Sequence, residues 1–246
     1  MKKDRSVDRR TLLRLGAGAA LAPLVFSAPL MAQSPGGGAM KIGIVGSGKL
    51  GGTVGGLWAK AGHQVLFSSR HPEELKGLVE ELGANARAGS VAEAVAFGDA
   101  MLIAVPYAAL PEVGRDNAAG LKGKVVMDAC NPIPGRDGDI VQEAVANGVG
   151  ETSAKYLPGT RLARAFNSFG ARSFASEAHR AGEPIGVPIA SDDPEAIKVV
   201  SKLVRDAGFE PVAVPLARAK EFAPPEALFR QALPVSELKA RLGIKG

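Results

Sequence analysis

Residues 46–51, Gly-Ser-Gly-Lys-Leu-Gly, place three glycines at the spacing G-x-G-x-x-G directly after a short apolar run, Ile42 to Val45. Between a strand and a helix, each glycine has its own task. Gly46 permits the tight turn off the strand, Gly48 leaves the backbone bare for a pyrophosphate, and Gly51 lets the helix pack close to the strand. Ser47, Lys49 and Leu50 complete the turn, and the new helix aims its free N–H groups and positive dipole end at phosphates. Glycine-rich turns without a ligand share the bare pattern, so the context decides. Leu50 to Ala61 can form a helix on which Gly51, Gly52, Gly55 and Gly56 give one smooth face. A second apolar run, Gln64 to Phe67, then follows at βαβ spacing. The pattern predicts dinucleotide binding.

The end of that second run chooses between dinucleotides. A site for the 2′-hydroxyl form places an Asp or Glu there to accept from the ribose. None stands between Gln64 and His71. Ser69, Arg70 and His71 occupy the position instead. A carboxylate repels a 2′-phosphate, whereas Ser69 can hydrogen-bond it and Arg70 can hold it with charge-assisted bonds. The expected cofactor is NADP(H).

The elements that must carry these groups alternate along the chain. Helix is expected over Pro72 to Leu82, Ser90 to Phe97 (with Ser90 and Glu93 as a capping box), Leu110 to Leu121, and Pro194 to Ala207 capped by Asp192 or Asp193. Strand is expected over Ala84 to Ala88, Ala100 to Val105, Lys124 to Ala129, Arg161 to Phe166, Ile185 to Ala190 and Glu210 to Val214. Ile140 to Ala154 reads as helix broken near Gly148 and Gly150. Such alternation means an α/β fold, a Rossmann-like doubly wound parallel sheet, with a small C-terminal extension from residue 216 that ends in an amphipathic helix, Ser236 to Leu242. Ligands in that fold sit beyond the carboxyl ends of the strands. The remaining strand ends carry Val105, Pro106 and Tyr107, then Asn131, then Asn167, and all should face one crevice. Asn131, Tyr107 and Asn167 are candidates for positioning a nicotinamide.

Composition narrows the function. The 246-residue chain has net charge +5. Six basic and two acidic residues in the first 34 supply +4 of it, so the remainder is nearly neutral and has no electrostatic footprint for nucleic acid. One cysteine, Cys130, excludes an internal disulfide and a multi-cysteine metal site. His63, His71 and His179 are too far apart for ligand spacing. No G-x-S-x-G or H-E-x-x-H motif is present. The first 34 residues read as an address: a charged opening, the apolar run Leu15 to Met31, and small residues ending at Ala32. Arg9 and Arg10, followed by Thr11, Leu12 and Leu13, resemble a twin-arginine signal. This predicts export to the periplasm through the twin-arginine translocon, with anchoring by an uncleaved helix as the alternative. Residues 35–39 follow as a linker, and residues 40–215 hold the dinucleotide-binding domain.

The stretches KIGIVGSGKLG, GHQVLFSSR, AVPYAAL, RAFNSFG and PIASDDPEA resemble the NADP oxidoreductase family dependent on the deazaflavin coenzyme F-420. The resemblance covers about Met40 to Val214. It implies that Ser69 and Arg70, with His71 adjacent, grip the 2′-phosphate, that Ser47, Lys49 and Leu50 belong to the phosphate turn, and that Val105 and Pro106 lie beneath the ribose. It also implies hydride transfer between NADP(H) and a deazaflavin or flavin, which requires positioning and no side-chain acid or base. No catalytic residue is assigned. The expected partners are a small-molecule redox cofactor and no nucleic acid, with a homodimer left open as the assembly. Two other readings stand beside this one. The first is a non-enzymatic NADP-binding sensor. The second is a relative of the β-hydroxyacid or pyrroline-carboxylate reductases, which add a large all-helical domain.

Overall fold

The computed structural model describes residues 38–244; the signal and most of the linker assigned above lie outside the described residues. In order, the elements are β1 (Lys41–Val45), α1 (Lys49–Lys60), β2 (Gln64–Ser68), α2 (Lys76–Leu82), β3 (Ala86–Gly89), α3 (Val91–Phe97), β4 (Ala100–Ile103), α4 (Leu110–Asp116), α5 (Ala118–Leu121), β5 (Val125–Asp128), α6 (Ile140–Asn147), α7 (Val149–Tyr156), β6 (Arg161–Arg164), α8 (Ala171–Glu177), β7 (Gly186–Ala190), α9 (Pro194–Asp206), β8 (Glu210–Val214) and α10 (Val235–Arg241). The strands form one sheet in the order β3-β2-β1-β4-β5-β6-β7-β8. Its first six members are the Rossmann arrangement, with the reversal of direction in strand order falling between β1 and β4.

Strand alternation explains the two cores. Ile42 and Ile44 of β1, Leu102 of β4 and Met127 of β5 face α1, α8 and α9. Val45, Ile103 and Val126 face the opposite side, with Tyr107, Val149 and the tail residues Phe222 and Leu238. Both faces are covered, as the continuous apolar runs require. The tail packs on the same sheet through Ala219, Phe222, Leu233, Leu238 and Leu242, all buried.

The structure departs from the sequence reading at three places. The sheet is not wholly parallel, because β7 runs antiparallel to β6 through Arg164 and Ala190. The connection between them holds the seven-residue α8 and starts and ends at the same end of the strands, so β7 runs back instead of crossing over. The helix expected over Leu110 to Leu121 is two helices. Asn117, whose Nδ2 and backbone N–H both donate to Val113 O, interrupts it. Of the two glycines expected to break Ile140 to Ala154, only Gly148 does, at φ +90°, while Gly150 lies within α7. A Cβ on Gly150 would come 2.8 Å from Leu216 O, so this glycine lets the tail approach α7.

His63 fastens the start of β1 to α9. Its Nδ1 accepts from Met40 N at 3.1 Å, and its Nε2 lies 2.9 Å from Asp206 Oδ2. Burial lowers its pKa below 6.5 and Lys202 adds to this, against the raising effect of Asp206. The neutral imidazole is therefore the native form, and protonating Nδ1 would cost the Met40 bond. Because the folded-state pKa is depressed, the unfolded chain binds more protons on acidification. The contribution of His63 to stability is present above pH 6.5 and is lost as the pH falls below it. Urea unfolding between pH 8 and 5 should show stability declining across that window. The decline should be shallower in His63→Gln, which can keep the acceptor for Met40 but cannot titrate.

Candidate functional site

The glycine turn has the geometry its spacing predicts. Gly46 sits at φ +93°, and a Cβ there would come 2.6 Å from Ala104 O, so the turn lies tight against the end of β4. The N–H groups of Gly46 and Ser47 donate to Ser68 O at 3.2 and 3.0 Å, which pins the turn to β2. Gly48 is the N-cap of α1, and a Cβ there would meet nothing within 4 Å. Its backbone is open on the side where the first N–H groups of the twelve-residue α1 lack intrahelical partners. Gly51 and Gly55 press on the sheet, where Cβ atoms would come 2.2 Å from Gly46 O and from Ile44 Cδ1 respectively. Gly52 and Gly56 meet Leu78 and Leu82 of α2 instead. The glycine face is thus shared between sheet and helix.

Ser47 Oγ is buried with no hydrogen-bond partner. A buried hydroxyl without a partner costs free energy, and a pyrophosphate at the α1 N-terminus would supply an acceptor. This orphan and the open cradle at Gly48 fit a dinucleotide. Lys49 is exposed, while Leu50 turns into the neighbouring cleft. At the end of β2, Arg70 is exposed and makes no ion pair among the described residues. Ser69 Oγ accepts from His71 N at 3.1 Å, and the His71 ring lies 3.4 Å from Glu73 Oε1. Arg70 is therefore the uncommitted cation of the three.

Beyond the ends of β4, β5 and β6 lies an open cleft of about 310 Å³. Its lining includes Leu50, Val105 and Pro106, Asn131, Ile133 and Arg136 after β5, Asn167 and Phe169 after β6, and Phe229 and Arg230 of the tail. Val105, Pro106, Asn131 and Asn167 are thus brought together, whereas Ser69, Arg70 and His71 lie outside the cleft walls. Tyr107 does not reach it. The residue is fully buried, and its hydroxyl donates to Val149 O at 3.1 Å and lies 3.1 Å from Ser153 Oγ. Burial pushes its phenol pKa well above 10.0. The proposed nicotinamide role of Tyr107 is withdrawn: its ring fills the face of the sheet under α7 and is turned away from the strand ends.

The floor of the cleft is a buried polar network that joins Asn131 and Asn167 to Arg164, Asp128 and Ser153, three residues the sequence reading did not single out. Arg164 Nη1 donates to Asp128 Oδ2 at 2.5 Å and to Ser153 Oγ at 2.9 Å; Nη2 donates to Cys130 O at 2.7 Å and to Asn131 Oδ1 at 3.3 Å. Asn131 Nδ2 donates to Asn167 O at 2.8 Å, and Asn167 Nδ2 donates to Asn131 Oδ1 at 3.1 Å and to Phe222 O at 3.2 Å. Both carboxamides are largely used in locking β5, β6 and the tail together. They set the shape of the cleft floor more than they offer groups to a ligand. Breaking a buried ion pair from one side is costly because it strands the other charge. Arg164→Met should lower unfolding stability by about 3–5 kcal/mol, measured by urea titration. Asp128→Leu added to Arg164→Met should restore much of the loss.

Asp137, a buried carboxylate, braces the rim. Desolvation opposes its charge, but hydrogen bonds from Arg136, Ile133 N and Ala108 N hold its pKa below 3.8. The Cys130 thiol is buried and its pKa is pushed up by desolvation, with the Asp128 charge adding to it. The cleft walls bring no carboxylate and no imidazole. The described residues contain no cluster of His, Cys, Asp or Glu able to hold a metal ion, and no described helix is long and apolar enough to cross a membrane.

Residues 41–132 match the family described as NADP oxidoreductase, coenzyme F420-dependent. The matched segment runs from β1 past the end of β5 and carries both the glycine turn and the Ser69–Arg70 pair. The match is to a family of NADP-dependent oxidoreductases, and it covers the first five strands of the sheet. The metalloreductase STEAP3 of Rattus norvegicus is 30% identical over 187 residues, covering 74% of this chain and 36% of the rat protein. The chain thus spans about a third of that curated relative. Among solved structures, a hypothetical protein of Sinorhizobium meliloti superposes with a TM-score of 0.69 at 22% identity, covering 80% of this chain and 95% of the other. A protein of Arthrobacter sp. FB24, provisionally described as an F420-dependent NADP-reductase, gives 0.66 at 23% identity, covering 84% and 96%. At these identities the two structures establish the shared fold.

Proposed function

We propose that this chain transfers hydride between NADP(H), held along β1, α1 and the end of β2, and a deazaflavin- or flavin-type acceptor in the cleft beyond β4–β6. The observation that carries the reading is the pairing of a free Arg70 at the β2 end with the open cradle at Gly48. Together they match a dinucleotide whose pyrophosphate lies at α1 and whose 2′-phosphate lies beside Ser69 and Arg70. The nicotinamide end then falls toward Val105, Pro106 and the Asn131–Asn167 floor.

When bound, NADPH supplies one hydride with its two electrons, and the acceptor takes one further proton from solvent. The chain's contribution is positional. The α1 N-terminus and Ser47 Oγ hold phosphate. Arg70 selects the phosphorylated ribose. The rigid Arg164–Asp128 network keeps the cleft floor in one shape, and the apolar side chains of Ile133, Phe169 and Phe229 exclude water from the ring faces. With no carboxylate or imidazole on the walls, and the Cys130 thiol kept protonated by burial, proton movement is left to solvent.

The alternative of a β-hydroxyacid or pyrroline-carboxylate reductase relative is less well supported. After β6 the chain continues the sheet through β7, α9 and β8 where that reading calls for a helical bundle. Fluorescence titration of the mature protein with NADPH and NADH, followed by addition of deazaflavin and flavin acceptors, tests the proposal. Tight NADPH binding with acceptor-dependent oxidation is expected. Tight binding without turnover on any acceptor would favour a dinucleotide sensor instead.

A further inference from the structure

The tail beyond β8 contributes one wall of the cleft, and it brings a positive charge there. Arg230 is exposed at the rim, with its guanidinium 5.2 Å from the centre of the Phe229 ring. No carboxylate lies within ion-pair distance of it among the described residues. Arg136, the other arginine of the walls, is committed: its Nη2 donates to Asp137 Oδ2 at 2.7 Å and to Asn131 O at 2.8 Å. The cleft therefore has one spent arginine and one free one, and no acidic residue to oppose the free charge.

The backbone holds Arg230 in place at a conformational cost. Its φ is +66°, in the left-handed region that a non-glycine residue rarely adopts. The N–H of Arg230 donates to Ser168 O at 2.6 Å, and Asn167 Nδ2 donates to Phe222 O at 3.2 Å, so the tail is fastened to the end of β6 at two points. Phe166, two residues before Ser168, also sits at positive φ, at +62°. Such conformations persist where the surroundings determine them, and they concentrate at ligand sites.

Resting on the proposed hydride-transfer function, we infer that Arg230, backed by Phe229, is a specificity-determining residue for the acceptor. It binds an anionic group, phosphate or carboxylate, carried by a planar conjugated acceptor whose ring lies in the apolar part of the cleft. The 2′-phosphate of the dinucleotide belongs to Arg70, which follows β2 and lies outside the cleft walls, so the two arginines read different molecules. An arginine fork suits phosphate and carboxylate oxygens and stacks on aromatic faces. Both a flavin nucleotide and a deazaflavin with an anionic tail carry this chemistry.

The test compares acceptors that share a ring and differ in the anion. Flavin mononucleotide is set against riboflavin, and coenzyme F420 against its phosphate-free core. Binding to the full mature protein is read by quenching of acceptor fluorescence in the presence of NADP⁺. Wild type should bind the anionic member of at least one pair about tenfold or more tightly than its neutral partner, with the preference shrinking as salt rises. Arg230→Gln should remove that preference by weakening the anionic acceptor alone, with neutral-acceptor affinity, NADPH affinity and melting temperature unchanged. Arg230→Lys should recover part of it. The pair showing the larger ratio identifies which anionic tail the site fits. Equal weakening of anionic and neutral acceptors in Arg230→Gln, or a preference that survives the substitution, would overturn the assignment, as would absence of any preference in wild type. Because binding is read without turnover, acceptor binding without NADPH oxidation would count against the proposed activity while leaving the role of Arg230 decided by the ratios.

Discussion

Arg70→Ala is expected to weaken NADPH binding by about 10- to 100-fold and to leave NADH binding nearly unchanged. The magnitude is that of losing hydrogen bonds to a charged group, about 1.5–3 kcal/mol. The asymmetry follows from where the charge is. Arg70 stands exposed at the end of β2 without an ionic partner among the described residues, so its removal strands no buried carboxylate and disturbs no packing. Only the 2′-phosphate distinguishes the two dinucleotides, so only the phosphorylated one should feel the change. Isothermal titration of both dinucleotides into wild type and variant measures it. Equal losses would mean that Arg70 acts on a part the two share, and the preference for NADP(H) would need another source.

The second large effect separates two glycines of the same motif. At Gly48, φ is −70° and a Cβ would meet nothing within 4 Å, so the protein tolerates a side chain there. Gly48→Val should fold with a melting temperature lowered only slightly, by the poorer cap it gives α1, and yet fill the space the pyrophosphate needs, weakening NADPH and NADH alike by about tenfold or more. At Gly51, a Cβ would come 2.2 Å from Gly46 O, a backbone atom that cannot swing away. Gly51→Ala should therefore act on the fold, lowering unfolding stability by about 1–3 kcal/mol through overpacking. Thermal melts paired with binding titrations check both. The account predicts a binding defect with at most a small stability defect at Gly48 and a larger stability defect at Gly51. A Gly48→Val protein that binds NADPH normally would move the phosphates away from α1.

Where the sequence is legible, its signals are local. The glycine turn, the Ser90–Glu93 capping box and Asp193 as the cap of α9 are each encoded within a few residues, and the structure has all three. The Rossmann order of β1–β6 follows from strand–helix alternation. What could not be read depends on partners far away in the chain. RLARAF reads as a strand, and nothing within it says that Arg164 is buried. In the fold Arg164 is buried because Asp128, 36 residues earlier, supplies its counter-charge. The strand-end rule said which end of the sheet Tyr107 would occupy, and it could not say which face. A short 3-10 turn at Tyr107–Ala109 carries the ring under α7, where Val149 O and Ser153 take its hydroxyl. The antiparallel β7 was hidden for a similar reason, since an apolar strand pattern carries no direction. Arg230 was missed because a proline-rich tail has no periodicity, and its place in the cleft depends on a hydrogen bond to Ser168, 62 residues away.

The most direct test of the central claim follows the hydride itself. NADPH deuterated at C4, prepared separately with the label on each face, would be oxidised by the purified protein with a deazaflavin or flavin acceptor, and the mass of the NADP⁺ formed would be measured. A fixed cleft beyond β4–β6 presents only one face of the nicotinamide to the acceptor. The account therefore predicts complete loss of label from one epimer, complete retention from the other, and oxidation that requires the acceptor. Label lost equally from both epimers, or no acceptor-dependent oxidation with any member of the class, would contradict it.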